Sequence, residues 1–243
     1  MLSDDLRGIW YIMLKDLRAY YFKPPNISWG ILFPFAFVLA FVIRDAENLD
    51  SLVPGLLALT LLFGTSSMEA IVITFERRIG ALERLLLAPL RLPALLAGKL
   101  LGGMVFGLVT TLVVLIVALV VFGASGVNWL LLILGMILSA TAFSAMGVLV
   151  SVSVKEVFEA QTLANAFRFP MMFLGGVFVP VTLLPLGLQV VARVLPLTYA
   201  VEVLHAAMAG GELPLAILDL AVLSAFAVVF FGFASWVLAR QVA

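Results

Sequence analysis

The alternation of apolar and charged segments limits what this chain can become more than any single motif does. Residues 52–75, 100–122, 128–152 and 215–238 are apolar runs, each near the length of about 20 residues that crosses a hydrocarbon core. Between the first two lies ERRIGALERLLLAPLRLPALLAGK, residues 76–99, which holds Glu76, Arg77, Arg78, Glu83, Arg84, Arg91 and Lys99. Charge at that density cannot lie in lipid, so the chain leaves the membrane there. Composition agrees: 12% of residues are charged and 64% hydrophobic, against about 25% charged in soluble domains. The expected class is an all-α membrane protein.

Taken in order, the chain opens with residues 3–22. Leu6, Ile9, Trp10, Met13, Leu14, Leu17 and Tyr21 recur there at helical spacing with charges between them. That pattern predicts an amphipathic helix lying in the membrane interface. Its interruptions by Asp4, Asp5, Arg7, Lys15, Asp16 and Arg18 are unlike a signal peptide. A short first span is expected over 27–43, then spans over 52–75, 100–122 and 128–152. Gln161, Asn165 and Arg168 share one helical face, so a fifth span is placed at 157–177, kinked at Pro170. A start at Phe169 is the alternative, but Pro180 and Pro185 would interrupt it. Prolines break residues 180–214 into re-entrant or surface helices, and 215–238 is the sixth span. The whole chain, 1–243, reads as one transmembrane domain.

Basic residues set the orientation. With the N-terminus inside, the cytoplasmic side collects Arg7, Lys15, Arg18, Lys23, Arg77, Arg78, Arg84, Arg91, Lys99, Lys155 and Arg240. The other side receives Arg44 and Arg193, with Arg168 ambiguous in depth. Both termini and the segment 76–98 are therefore expected in the cytoplasm of a cell whose plasma or inner membrane holds the protein.

Several chemistries are excluded. There is no Cys and one His, which removes thiolate chemistry and a histidine metal cluster, so no metal site is expected. A net charge of +0 carries no nucleic-acid footprint. The Gly98-Lys99 pair is followed by Leu100 and preceded by Pro93 where a nucleotide-binding loop needs Gly. No catalytic constellation is evident, so an embedded enzyme is disfavoured. Work against a gradient would need either an ion gradient, with Glu69, Asp219 or Glu202 as proton sites, or a borrowed ATPase. Gly98/Gly102, Gly103/Gly107 and Gly135/Ser139 are small-residue pairs that let helices approach.

Glu76-Arg77, Gly80, Ala81-Leu82-Glu83, a Leu run over 85–87 and Pro89 resemble the cytoplasmic loop of type-2 ABC exporter permeases, in the branch of the daunorubicin and multidrug exporters. Ala81 stands where that pattern usually has Thr. Near the other end, Pro170, Gly175, Pro180, Pro196, Thr198, Tyr199 and Glu202 resemble the family's fifth span and external segment, with His205 where Arg is common. The resemblance implies a half-transporter. Two permease copies, expected to be a homodimer in lipid, would pair with two ATPase subunits that carry ATP and Mg, this chain holding no cofactor itself. Residues 76–98 would be the coupling segment, its contacts carried by Glu76, Arg77, Arg78, Gly80, Leu82, Glu83, Arg84 and Pro89. Ile79, Leu82 and Leu86 form the apolar stripe expected to seat it. Glu69, Asn165, Arg168, Pro170, Gly175, Pro196, Tyr199 and Glu202 would line the translocation path or its outer gate. A Glu69–Arg168 pair would cancel the cost of two charges in the membrane. Phe33, Phe37, Phe41, Phe169, Phe173 and Phe178 would line a greasy exit or face lipid. The expected substrate is a hydrophobic or amphipathic drug, antibiotic or lipid. A glycoconjugate or haem-pathway substrate and an ion-coupled secondary transporter stay open.

Overall fold

The computed structural model describes residues 2–23, 36, 52–122 and 126–242, and the expected first span, 27–43, lies outside them. Helix α1, Leu2–Asp16, runs on into a π-helical turn, Leu17–Tyr21. Then come α2 (Val53–Arg78), the short α3 (Ala81–Leu86), α4 (Leu92–Phe122), α5 (Trp129–Ser153), α6 (Val157–Leu174), α7 (Leu186–Ala192), α8 (Pro196–Ala209) and α9 (Leu213–Val242). Among the described residues there is no strand.

Local chemistry accounts for the boundaries. Pro54 stands in the first turn of α2, where its missing N–H costs nothing. The Asn128 side chain caps α5 by accepting from Leu131 N–H at 3.2 Å. Glu156 and Glu159 form a reciprocal capping box at the start of α6. Gly80 sits at φ 70°, in the left-handed region that suits glycine, and separates α2 from α3.

Helices α2 and α5 lie inside, α5 packing on α2, α4, α8 and α9, while α2 also touches α6. A main apolar cluster joins α2, α4, α5, α6, α8 and α9 through Leu57, Leu61, Phe143, Leu197 and Leu204. A second joins α1, α2, α3, α4, α5 and α9 through Ile12, Ile73, Leu82, Leu96, Val148 and Leu238. The small residues fall inside the chain. An added side-chain carbon at Gly98 would meet Ile12, at Gly107 Thr65, and at Gly135 Val203, each within 3 Å. Lipid gives no hydrophobic reason for helices to associate, so these close approaches supply the packing.

Four described helices are long and apolar enough to cross a membrane: α2, α4, α5 and α9. The pair α7 and α8, bent by 88°, would add a fifth only if taken as one broken span. The expected 157–177 span is α6, which ends at Leu174 and is not among the four. Glu159, Gln161, Asn165 and Arg168 lower its apolarity. The expected loop 76–98 is shorter than its charge suggested. Helix α2 persists through Arg78 and α4 begins at Leu92. The reason is that Glu76 and Lys99 neutralise one another inside the bundle. The apolar face of α1 is divided. Ile12, Met13, Leu17 and Tyr21 are buried, whereas Leu6 and Trp10 are exposed. The first two turns of α1 rest instead on the link before α4, where Gly8 meets Leu90.

Candidate functional site

Residues 79–91 make an elbow between two long helices. Helix α3 is fixed by Leu82, 2% exposed and set in the second apolar cluster. Around it Arg78, Glu83, Arg84 and Pro89 are exposed, as are Ile79 at 51% and Leu87 at 87%. The expected stripe of Ile79, Leu82 and Leu86 does not form as one face. The left-handed turn at Gly80 breaks the helical register between Ile79 and Leu82. The elbow thus offers a surface of both charge signs with two bare apolar side chains.

Two residues expected on that surface point inward. Glu76 is fully buried, accepting from Lys15 Nζ and Lys99 Nζ. Asp16 closes the group, with Lys15 at 2.9 Å and Lys99 at 2.8 Å. Two carboxylates and two ammoniums thus lock α1, α2 and α4 together with no net charge. Burial raises the Asp16 carboxyl above its ordinary value, against the pull of Lys99 and Lys15. Burial works against charge on Lys15, but Asp16 and Glu76 outweigh it and hold the ammonium above its ordinary value. Arg77 reaches across the end of the bundle, donating to Val154 O at 2.8 Å and Gln241 Oε1 at 3.1 Å. Gln241 in turn donates to Val152 O at 2.8 Å. Glu76, Arg77 and Leu82 therefore hold the elbow, and Arg78, Glu83, Arg84 and Pro89 present it. Sequence reasoning missed Lys15, Asp16, Lys99 and Gln241, because the pattern along one segment carries no sign of partners far away in the chain.

The expected Glu69–Arg168 pair does not form. Glu69 accepts from Tyr21 Oη–H at 2.5 Å and from Gly103 N–H at 2.8 Å. Gly103 and Gly147 leave the room it occupies. Arg168, 1% exposed, comes from α6 and donates to Ser67 Oγ. Ser67 and Glu69 are two residues apart, about 200° around a helix of 3.6 residues per turn, so the two charges lie on opposite sides of α2. Arg168 also stacks near Phe63, 5.5 Å from the ring centre, and its Nε and Nη2 are buried without acceptors among the described residues. Asn165 is half-buried on α6 and Pro170 exposed one turn further on.

At the far end of α2 the other residues expected to form a gate gather. An added carbon at Gly175 would lie 2.6 Å from Met171 O, so the turn after α6 closes only with glycine there. Pro196 starts α8, Tyr199 Oη donates to Arg193 O at 2.6 Å, and Arg193 pairs with Glu202 at 2.7 Å. These flank an open cavity of about 840 Å³ between the start of α2, α8 and α9. Phe173 and Phe178 pack together at 6.1 Å and Phe63 with Phe169 at 6.4 Å. Phe33, Phe37 and Phe41 lie outside the described residues.

No curated protein matches the chain. The family described as ABC-2 type transporter matches residues 7–209, from the first turns of α1 through the end of α8. The match takes in the elbow, the charge cluster behind it and Arg168, so the chain belongs to the ABC-2 type transporter family, as a membrane-embedded transport component with no catalytic role of its own.

Proposed function

We propose that this chain is the permease half of an exporter driven by separate ATPase subunits, and that α3 is where the work enters. The observation that carries this reading is the elbow: one buried anchor, Leu82, beneath an exposed set of Arg78, Ile79, Glu83, Arg84 and Leu87. A short helix held this way is suited to a groove on a partner. Any push on it is delivered through Leu82 and Arg77 to the ends of α2, α5 and α9. ATP and Mg belong to that partner, two copies of which would serve two copies of this chain. The excess of Lys and Arg at the elbow's end of the bundle supports a reading with both termini and the partner in the cytoplasm, and the cavity facing outward from the plasma or inner membrane.

The moving path is assigned to the seam between two permease copies, along α6. That helix exposes Phe158, Phe167, Phe169 and Phe173 and keeps Asn165 and Arg168 behind them. Such a face favours a hydrophobic or amphipathic substrate, such as a drug, an antibiotic or a lipid, over a sugar polymer. The test is charge reversal. Glu83→Lys and Arg84→Glu should insert normally yet lose co-purification of the ATPase and substrate-stimulated ATP hydrolysis. Undiminished coupling in both variants would overturn the role of α3. Transport that survives ATP depletion but collapses with an uncoupler would replace the reading by ion coupling.

A further inference from the structure

The cavity at the far end of α2 holds a pattern that the transport reading does not use. Its wall is mostly apolar, with Val177, Val201, Leu215 and Ala216. Three carboxyl groups also line it, from Glu202, Glu212 and Asp219, with the imidazole of His205. The guanidinium of Arg193 is there too, paired with Glu202 at 2.7 Å. Among the described residues, that leaves Glu212 and Asp219 without an ion pair of their own. Glu212 is exposed and stays solvated. Asp219 is 7% exposed, and among the described residues no group donates to it or pairs with it. Burial weighs against its charge and Glu202 repels it, while the attraction of Arg193, already paired with Glu202, is the smallest of the three effects.

We propose that the cavity binds an organic cation, an ammonium carried on an apolar body, with Asp219 as its counter-charge. Among the described residues no group of three or more His, Asp and Glu could hold a metal ion, so a bare metal does not fit. An ammonium needs one carboxylate and a wall for its hydrocarbon, and both are present. The volume lies within the range of about 300–1,000 Å³ usual for small-molecule sites. The ammonium has two sources, the ethanolamine headgroup of a bilayer lipid or a free cationic amphiphile. The site stands apart from ATP-driven export, because binding to the permease alone reveals it.

The experiment uses the full chain in dodecyl maltoside micelles with radiolabelled dodecyltrimethylammonium. One saturable site per chain is expected, weakened at least tenfold by Asp219→Asn and retained by Asp219→Glu. Leu215→Trp, which fills the mouth without touching the charge, should weaken it too and guards against misfolding as the explanation. Displacement by phosphatidylethanolamine but not phosphatidylglycerol identifies the lipid headgroup as the source. Resistance to both lipids identifies a free amphiphile. No saturable site, wild-type affinity in Asp219→Asn, or equal displacement by dodecyl sulfate would overturn the proposal.

Discussion

At the scale of the residue, buried charge decides most. Lys99 supplies one of the two ammoniums that neutralise Asp16 and Glu76. Removing one member of a buried ion group is costlier than never having built it, because the others stay buried. Lys99→Met should lower stability by about 3–5 kcal/mol, read as a lower unfolding midpoint in detergent. Restoring neutrality with Glu76→Gln in the same chain should recover part of that loss. Arg168 behaves oppositely, since two of its nitrogens have no acceptor among the described residues. Arg168→Met should raise the unfolding midpoint while reducing transport. A fall in both would mean that Ser67 and Phe63 satisfy the guanidinium fully. The sequence marked Arg168 and Glu69 as costly but paired them wrongly. Spacing along one helix was visible, whereas which side of α2 each charge meets depends on how α1 and α6 dock.

At the scale of the element, the elbow separates anchoring from display. Leu82→Ala should destabilise by about 2–5 kcal/mol, seen as faster proteolysis between α2 and α4. Leu87→Ala, at a side chain 87% exposed, should leave stability unchanged and weaken only ATPase co-purification. Gly80→Ala has room, its nearest contact being Glu83 Oε2 at 3.9 Å, so only the left-handed backbone opposes it. The cost is about 1–2 kcal/mol, and the expected effect is loss of coupling with expression preserved. The elbow's location was legible from its charge and its glycine. Its length was not, since a charged residue ends a span only when nothing neutralises it, and Lys99 and Glu76 neutralise each other.

At the scale of the molecule, long apolar runs made the helical membrane class readable, and four of the expected spans appear as α2, α4, α5 and α9. What stayed hidden is the order of layers. Helices α2 and α5 lie inside and α9 mostly outside, although all three read as equally oily strings. Glycine contacts carry that information. Gly147 in α5 lies so close to Ser66 and Glu69 of α2 that an added carbon would stand 2.8 Å from Glu69 Cβ. Gly147→Leu should therefore push the two inner helices apart, lowering the yield of folded protein in detergent. The comparable change at Gly232, with nothing within 4 Å, should not.

The lock of Lys15, Asp16, Glu76 and Lys99 has a consequence for how the chain is made. Its first two members leave the ribosome long before the fourth, and synthesis adds only about 5–20 residues per second. Until Lys99 emerges, two carboxylates share one ammonium. During that interval α1 has no neutral seat against α2. Nascent chains stopped before residue 99 should leave Asp16 open to aqueous reagents, and chains stopped well beyond it should not. The lock can thus close only once both α2 and α4 have been made.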